Sequence, residues 1–155
     1  MQFVRDAMSF LFGLRNGSFR SFTWRCRMRR LAGEPMLLSE IDELERDLGL
    51  PLPNSYKAYL AIAGNGNSAR RYIGCDCHGD HLRNLRSRAL TIMQESGVCA
   101  KLPDNAVFIC EHQGYLCFFF IADGTSDDPN VYSYCEGESE VKLTGQRLTE
   151  WLTQW

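Results

Sequence analysis

The sequence predicts an α+β fold: N-terminal helices packed on a mainly antiparallel sheet of about four to six strands, closed by a C-terminal helix. Three observations carry this. Apolar residues recur at helical spacing before Gly66 and again from Leu82 to Met93. Short runs rich in β-branched and aromatic residues, separated by turn residues, crowd the second half. A last helical stripe of Leu148, Trp151, Leu152 and Trp155 ends the chain. Helices first, then a meander, then a closing helix is the order of a segregated α+β domain with an antiparallel sheet.

The elements follow in order. Ser39 with Asp42 outlines a capping box, and Ile41, Leu44 and Leu48 share the face of the helix it opens. Gly49 supplies the left-handed stop. Pro51 and Pro53 forbid continuation, so a second helix starts at Asn54 or Ser55 with Tyr56, Tyr59, Leu60 and Ala63 as its stripe. Gly64-Asn65-Gly66 ends it. Tyr72 and Ile73 read as a strand and residues 74–79 as a loop. Leu82, Leu85, Ala89, Ile92 and Met93 then form a helical face that Gly97 ends. Strands at Ala106 to Cys110 and Tyr115 to Ala122 flank a polar turn, Glu111-His112-Gln113-Gly114. In the second of these, Leu116, Phe118 and Phe120 take one face and Phe119 and Ile121 the other; apolar residues on both faces mark a central strand. Val131 to Cys135 and Glu140 to Leu143 make further strands, with Thr144 placed to cap the last helix.

These segments form an ordered set: Ile41-x-x-x-Glu45-x-x-Leu48-Gly49-x-x-Leu52-Pro53-x-x-Tyr56-x-x-x-Leu60-x-x-x-x-Asn65-Gly66, then Leu102-Pro103-Asp104, Gln113-Gly114, Asp127-Asp128-Pro129, Val131-Tyr132-x-Tyr134 and Leu148-x-x-Trp151-Leu152. The set resembles the SUKH superfamily from about Leu37 to Trp155. That superfamily includes bacterial immunity proteins and the fungal Smi-Knr cell-wall regulators. The resemblance implies a domain that binds protein partners and performs no catalysis. The Arg-rich, Cys/His-bearing stretch between Gly66 and Leu102 has no counterpart in the family pattern.

At 155 residues, 45% of them hydrophobic, the chain is of ordinary single-domain size with material for a real core. The expected organisation is a basic helical arm over residues 1–33 and one α+β domain over 34–155. No apolar run approaches the ~20 residues that span a bilayer, and Met8 to Leu14 is too brief and lacks the cleavage pattern of a secretory signal. A cytoplasmic location is expected. The seven cysteines are odd in number, and Cys110 and Cys117 sit in strand-like runs, so reduced, mostly buried thiols are expected.

The net charge of −2 hides an asymmetry, because residues 1–30 hold seven arginines against one aspartate. Phe3, Ala7, Phe10 and Leu14 recur at helical spacing there, followed by Phe19, Phe22 and Trp24 among arginines. Such a composition suits nucleic acid or an anionic membrane face, or a helix docked on the core with its arginines solvated; the last reading is preferred and no direct nucleic-acid binding is expected. From Leu102 onward only Lys142 and Arg147 oppose nine acidic residues. An acidic face carrying tyrosines suits a basic partner, which it steers and anchors. Nucleases that grip phosphates are basic, so an acidic protein can find and mask their cleft.

Joined to the resemblance, this face gives the expected function: an immunity protein that neutralises a cognate bacterial toxin, possibly a nuclease, by stoichiometric binding. Asp127, Asp128, Glu136, Glu138 and Glu140 are the expected steering contacts and Tyr132 and Tyr134 the anchors. A regulatory scaffold of the Smi-Knr type is the alternative. No cofactor is expected. One cluster carries metal-type chemistry: Cys75, Cys77, His78 and His81 include the donors zinc prefers. Ligands so close in sequence strain the backbone around one ion, so an exposed loop is the preferred reading and a zinc-binding protein the lesser alternative, with His112 able to complete a site. The chain has no Gly-rich phosphate loop and no Ser-centred elbow. A Cys75 or Cys77 nucleophile beside His112, or Glu111 orienting His112, lacks any support beyond residue type.

Overall fold

The computed structural model describes residues 33–67, 74–95, 97 and 102–153. The expected arm, apart from Gly33, and the expected strand at Tyr72 and Ile73 lie outside the described residues, as does Trp155. Gly33 itself belongs to the body, where β1 (Gly33–Glu34) pairs antiparallel with β2 (Gly66–Asn67).

Helix α1 (Leu38–Leu48) starts one residue before Ser39, and its cap differs from the expected Ser39–Asp42 box. The Glu40 carboxylate reaches back to the Leu37 N–H at 2.6 Å. A glutamate in the first turn suffices because it serves an amide with no intrahelical partner and sits at the positive end of the helix dipole. Gly49 closes the helix at φ 65°, as the sequence requires. Beyond the Pro51–Pro53 hinge runs α2 (Asn54–Ala63), with Tyr56, Tyr59, Leu60 and Ala63 all buried. Glu45 ties the hinge to α1: one carboxylate oxygen accepts the Leu52 N–H at 2.7 Å and the other lies 2.8 Å from Lys57 Nζ.

The main sheet is five-stranded and wholly antiparallel, in spatial order β3 (Cys75–Asp76), β4 (Ala106–His112), β5 (Leu116–Ile121), β6 (Asn130–Cys135) and β7 (Lys142–Arg147). With α3 (His81–Glu95) between β3 and β4 and α4 (Leu148–Thr153) at the end, the α+β expectation holds, and β5 is the central strand. Phe118 meets Trp151 of α4 at 5.1 Å and Phe120 meets Tyr56 of α2 at 5.6 Å, while Phe119 packs between Phe108 and Tyr132. Alternation along the strand thus buries aromatic residues on both faces.

Three local expectations are corrected. β3 falls inside the stretch read as a loop; at two residues it is too short to show a strand pattern and exists by pairing with the end of β4. β4 runs two residues further than expected, so Glu111 and His112 are strand, and with β5 starting at Leu116 the turn is Gln113-Gly114-Tyr115. Gln113 and Gly114 have positive φ, 49° and 79°, and the Tyr115 N–H donates to His112 O at 3.2 Å to close the turn. Thr144 does not cap the last helix. It lies within β7, where its hydroxyl donates to Val131 O at 2.8 Å, and α4 begins directly after Arg147. No helix among the described residues is long and apolar enough to cross a membrane.

Candidate protein-binding surface

The connection from β5 to β6 carries Asp127 and Asp128, and both carboxylates are turned onto helix starts. Asp127 Oδ1 accepts the Asn54 N–H at 3.3 Å, at the first residue of α2. Asp128 accepts the Thr149 N–H at 2.8 Å and the Thr149 hydroxyl at 2.9 Å, in the first turn of α4. The loop is further held by Arg147 donating to Asp128 O at 3.1 Å and by the Leu148 N–H donating to Pro129 O at 2.8 Å. Carboxylates are favoured at such ends because the first helical amides lack partners. Asp127 is exposed and Asp128 half-buried.

The turn from β6 to β7 holds the other three predicted acids, and it lies at the opposite end of β6. A six-residue strand separates the two groups by roughly 17–20 Å. Glu138 forms an ion pair with Lys142, which raises the Lys142 pKa. Glu136 and Glu140 are exposed, and among the described residues neither enters an ion pair. The Glu136 N–H donates to Tyr115 O at 2.7 Å, which brings the β4–β5 turn alongside. Tyr115 is exposed there, edge-on to His112 at 5.6 Å.

The two predicted anchors part company. Tyr132 is half-buried, stacked on Phe119 at 5.5 Å, and paired across the strands with Leu143. Tyr134 is 0% exposed and belongs to the core, so it is withdrawn as a surface anchor. Both tyrosines lie on one face of β6, opposite the buried Phe119 and Cys117 of the central strand, so alternation along β6 does not separate them. Leu143, 56% exposed, was not picked out by sequence because an alternating strand pattern does not reveal which strand lies at the sheet edge. Tyr115 thus lies beside Glu136, while Tyr132 and Leu143 form a cross-strand pair on the two strands that the Glu136–Glu140 turn joins.

The Cys/His residues lie at the other edge of the sheet. Cys75 Sγ is 3.1 Å from His112 Nδ1, and Cys77 Sγ is 3.2 Å from His78 Nδ1, whose Nε2 lies 3.3 Å from the Tyr59 hydroxyl. Burial lowers the His78 pKa. His81 opens α3, exposed, with Nδ1 3.9 Å from Asp76 Oδ2. The predicted quartet of Cys75, Cys77, His78 and His81 thus does not converge, and among the described residues no three His, Cys, Asp or Glu side chains are grouped to hold a metal ion. Beside them Arg88 bridges Asp76 at 2.5 Å and the buried Glu111 at 2.7 Å. Glu111 has one carboxylate oxygen in that bridge and the other buried.

The family model of SMI1/KNR4 (SUKH-1) matches residues 35–154. The chain belongs to this family. The match takes in α1 to α4 and the whole five-stranded sheet. Comparison with curated proteins yields no match at a significant level. Membership in this SUKH family points to a protein partner.

Proposed function

We propose that this SUKH domain is an immunity protein that binds a cognate toxin one-to-one and blocks it, without chemistry of its own. The reading rests on family membership together with one feature: the exposed carboxylates of Glu136 and Glu140, without an ion pair among the described residues, on the turn that joins the strand of Tyr132 to the strand of Leu143. Apolar contacts next to a turn with three acids and one lysine, Lys142, support recognition of a basic protein face, with the acids accelerating encounter and the apolar contacts slowing release. A toxin domain that grips phosphate, such as a nuclease, presents such a face. The proposed contacts are Tyr132, Leu143, Glu136 and Glu140, with Glu138 contributing what its pairing to Lys142 leaves. Asp127 and Asp128, at the far end of β6, contribute only to the long-range field.

Co-expression with the product of the neighbouring gene, followed by affinity capture, calorimetry and a growth-rescue assay, tests this. A tight complex of equal stoichiometry that restores growth is the expected outcome. A chain that neither binds nor protects, while still folded, removes immunity and leaves an endogenous partner of the Smi-Knr kind as the reading.

A further inference from the structure

The edge of the sheet furthest from the proposed docking surface holds three thiols and an imidazole on facing strands. β3 pairs with β4 as Cys75↔His112 and Asp76↔Glu111. The Gln113 N–H donates to Gly74 O at 2.9 Å, which makes 74/113 a hydrogen-bonded pair. Alternation then makes 76/111 the next hydrogen-bonded pair and 75/112 a non-hydrogen-bonded one. One step further in the same register sets Cys77 opposite Cys110, again at a non-hydrogen-bonded position. Such positions bring Cα atoms to about 4.5 Å, inside the range that a disulfide bridges. The Cys110 thiol interacts with both Cys77 and Cys75, and all three are free thiols.

We propose that Cys77 and Cys110 are a modification site: a cross-strand thiol pair that a small-molecule disulfide oxidises to a protein disulfide, with Cys75 as the first thiol to react. Cys77 and Cys110 are buried, whereas Cys75 is half-buried and has an imidazole nitrogen in contact. Burial pushes the Cys75 thiol up to about 12, so without help it is a poor nucleophile, since the thiolate is the attacking species. His112 Nδ1 supplies that help by accepting the proton as the sulfur attacks.

The steps balance. Cys75 Sγ bonds to one sulfur of the reagent, the reagent's S–S bond breaks, and the first small thiol leaves with the proton relayed by His112. Cys110 Sγ then attacks Cys75 Sγ and releases the second small thiol, which takes the Cys110 proton. Cys77 Sγ attacks Cys110 Sγ, and Cys75 leaves as a thiol with the Cys77 proton. The net change oxidises two protein thiols and reduces one small disulfide to two thiols. The bond settles at 77–110 because these residues are directly opposed, whereas 75 and 110 are diagonal. It covalently fastens the segment between β3 and α3 to β4.

Glutathione buffers of increasing oxidised fraction, applied to the full chain, quenched by alkylation and read by intact mass and tryptic mapping, test this. The expected result is loss of two alkylatable thiols out of seven, with peptide 72–83 joined to peptide 102–142 and fragment ions placing the bond at Cys77 and Cys110. Cys77→Ser removes the Cys77–Cys110 bond and stops the oxidation at the Cys75–Cys110 disulfide that precedes it, which fragment ions place at Cys75, with Cys77→Ala as a second variant should serine disturb packing. Cys75→Ser and His112→Gln preserve the end point but slow it by about tenfold or more. A parental end point bonded at Cys75 rather than Cys77, glutathione retained on Cys75 with no link, or no link while the chain stays folded in the most oxidising buffer overturns the site. Unchanged rates in Cys75→Ser and His112→Gln overturn the relay.

Discussion

The two acidic ends of β6 differ in what their carboxylates already do. Asp127 and Asp128 accept hydrogen bonds from the starts of α2 and α4, whereas Glu136 and Glu140 accept none from a described cation and face outward. Charge counted along the sequence treats the two ends alike. A carboxylate engaged by backbone amides holds the fold and has its field partly answered, while a free one is available to a partner. Mutating each end should therefore move different observables, stability at one and association at the other.

The largest effect should come from a group more deeply engaged than either end. Arg88→Met removes the cation that bridges Asp76 and Glu111, leaving a carboxylate that is 3% exposed without its counter-charge. Breaking a buried pair from one side costs about 3 kcal/mol or more; since Arg88 is itself 41% exposed, about 2–3 kcal/mol is expected in urea unfolding. Adding Glu111→Gln should restore much of the loss. If Arg88→Met unfolds at the parent midpoint, the bridge is not holding Glu111.

Next comes the engaged end itself. Asp128→Ala deletes two bonds to Thr149 at the start of α4 and should cost about 1–2 kcal/mol, while a folded variant keeps partner affinity within about twofold. A variant of parental stability that loses binding would reverse the assignment of this end.

Much of this architecture was legible. Gly49 and the Pro51–Pro53 hinge bounded α1 and α2 because φ constraints act locally, and β5 showed its central place through apolar residues on both faces. What was not legible depended on pairing between distant segments. Tyr132 and Tyr134 share a face of β6, and their different burial, half-buried against 0% exposed, does not show in the strand pattern. Glu111 read as a turn residue because its partner, Arg88, lies 23 residues earlier. Cys110 and His112, two apart like Cys75 and Cys77, carried a signal that became meaningful only with the β3–β4 register. Leu143 needed the knowledge that β7 is an edge strand.

Glu45 offers a similar test on the helical side. Burial raises its pKa, but the bonds from Lys57 and the Leu52 N–H and the charge of Lys57 outweigh this, so the folded value lies below the ordinary one. A carboxyl group with a depressed folded pKa adds stability that is fully present above its unfolded pKa of about 4.3 and is lost as pH falls through the folded value. Glu45→Gln should therefore be less stable than the parent at neutral pH by about 1 kcal/mol, and the gap should narrow in acid. A gap that stays constant from pH 7 to about pH 3 would mean that the ionised form is not what secures the hinge.

The smallest effect on stability is expected at the free end, and there it is the informative one. Glu136→Lys with Glu140→Lys alters two exposed side chains and should shift unfolding by less than about 0.5 kcal/mol. Association with a basic partner should nonetheless slow by about tenfold at low salt, and the difference from the parent should shrink as salt is raised, because screening acts on encounter rather than on the docked contact. Leu143→Ala should act on the other half of the process, leaving the association rate and its salt dependence intact while speeding dissociation. If both variants change only the dissociation rate, the glutamates are contact residues and not steering ones. If neither changes anything while the chain still protects, the docking surface lies elsewhere on the domain.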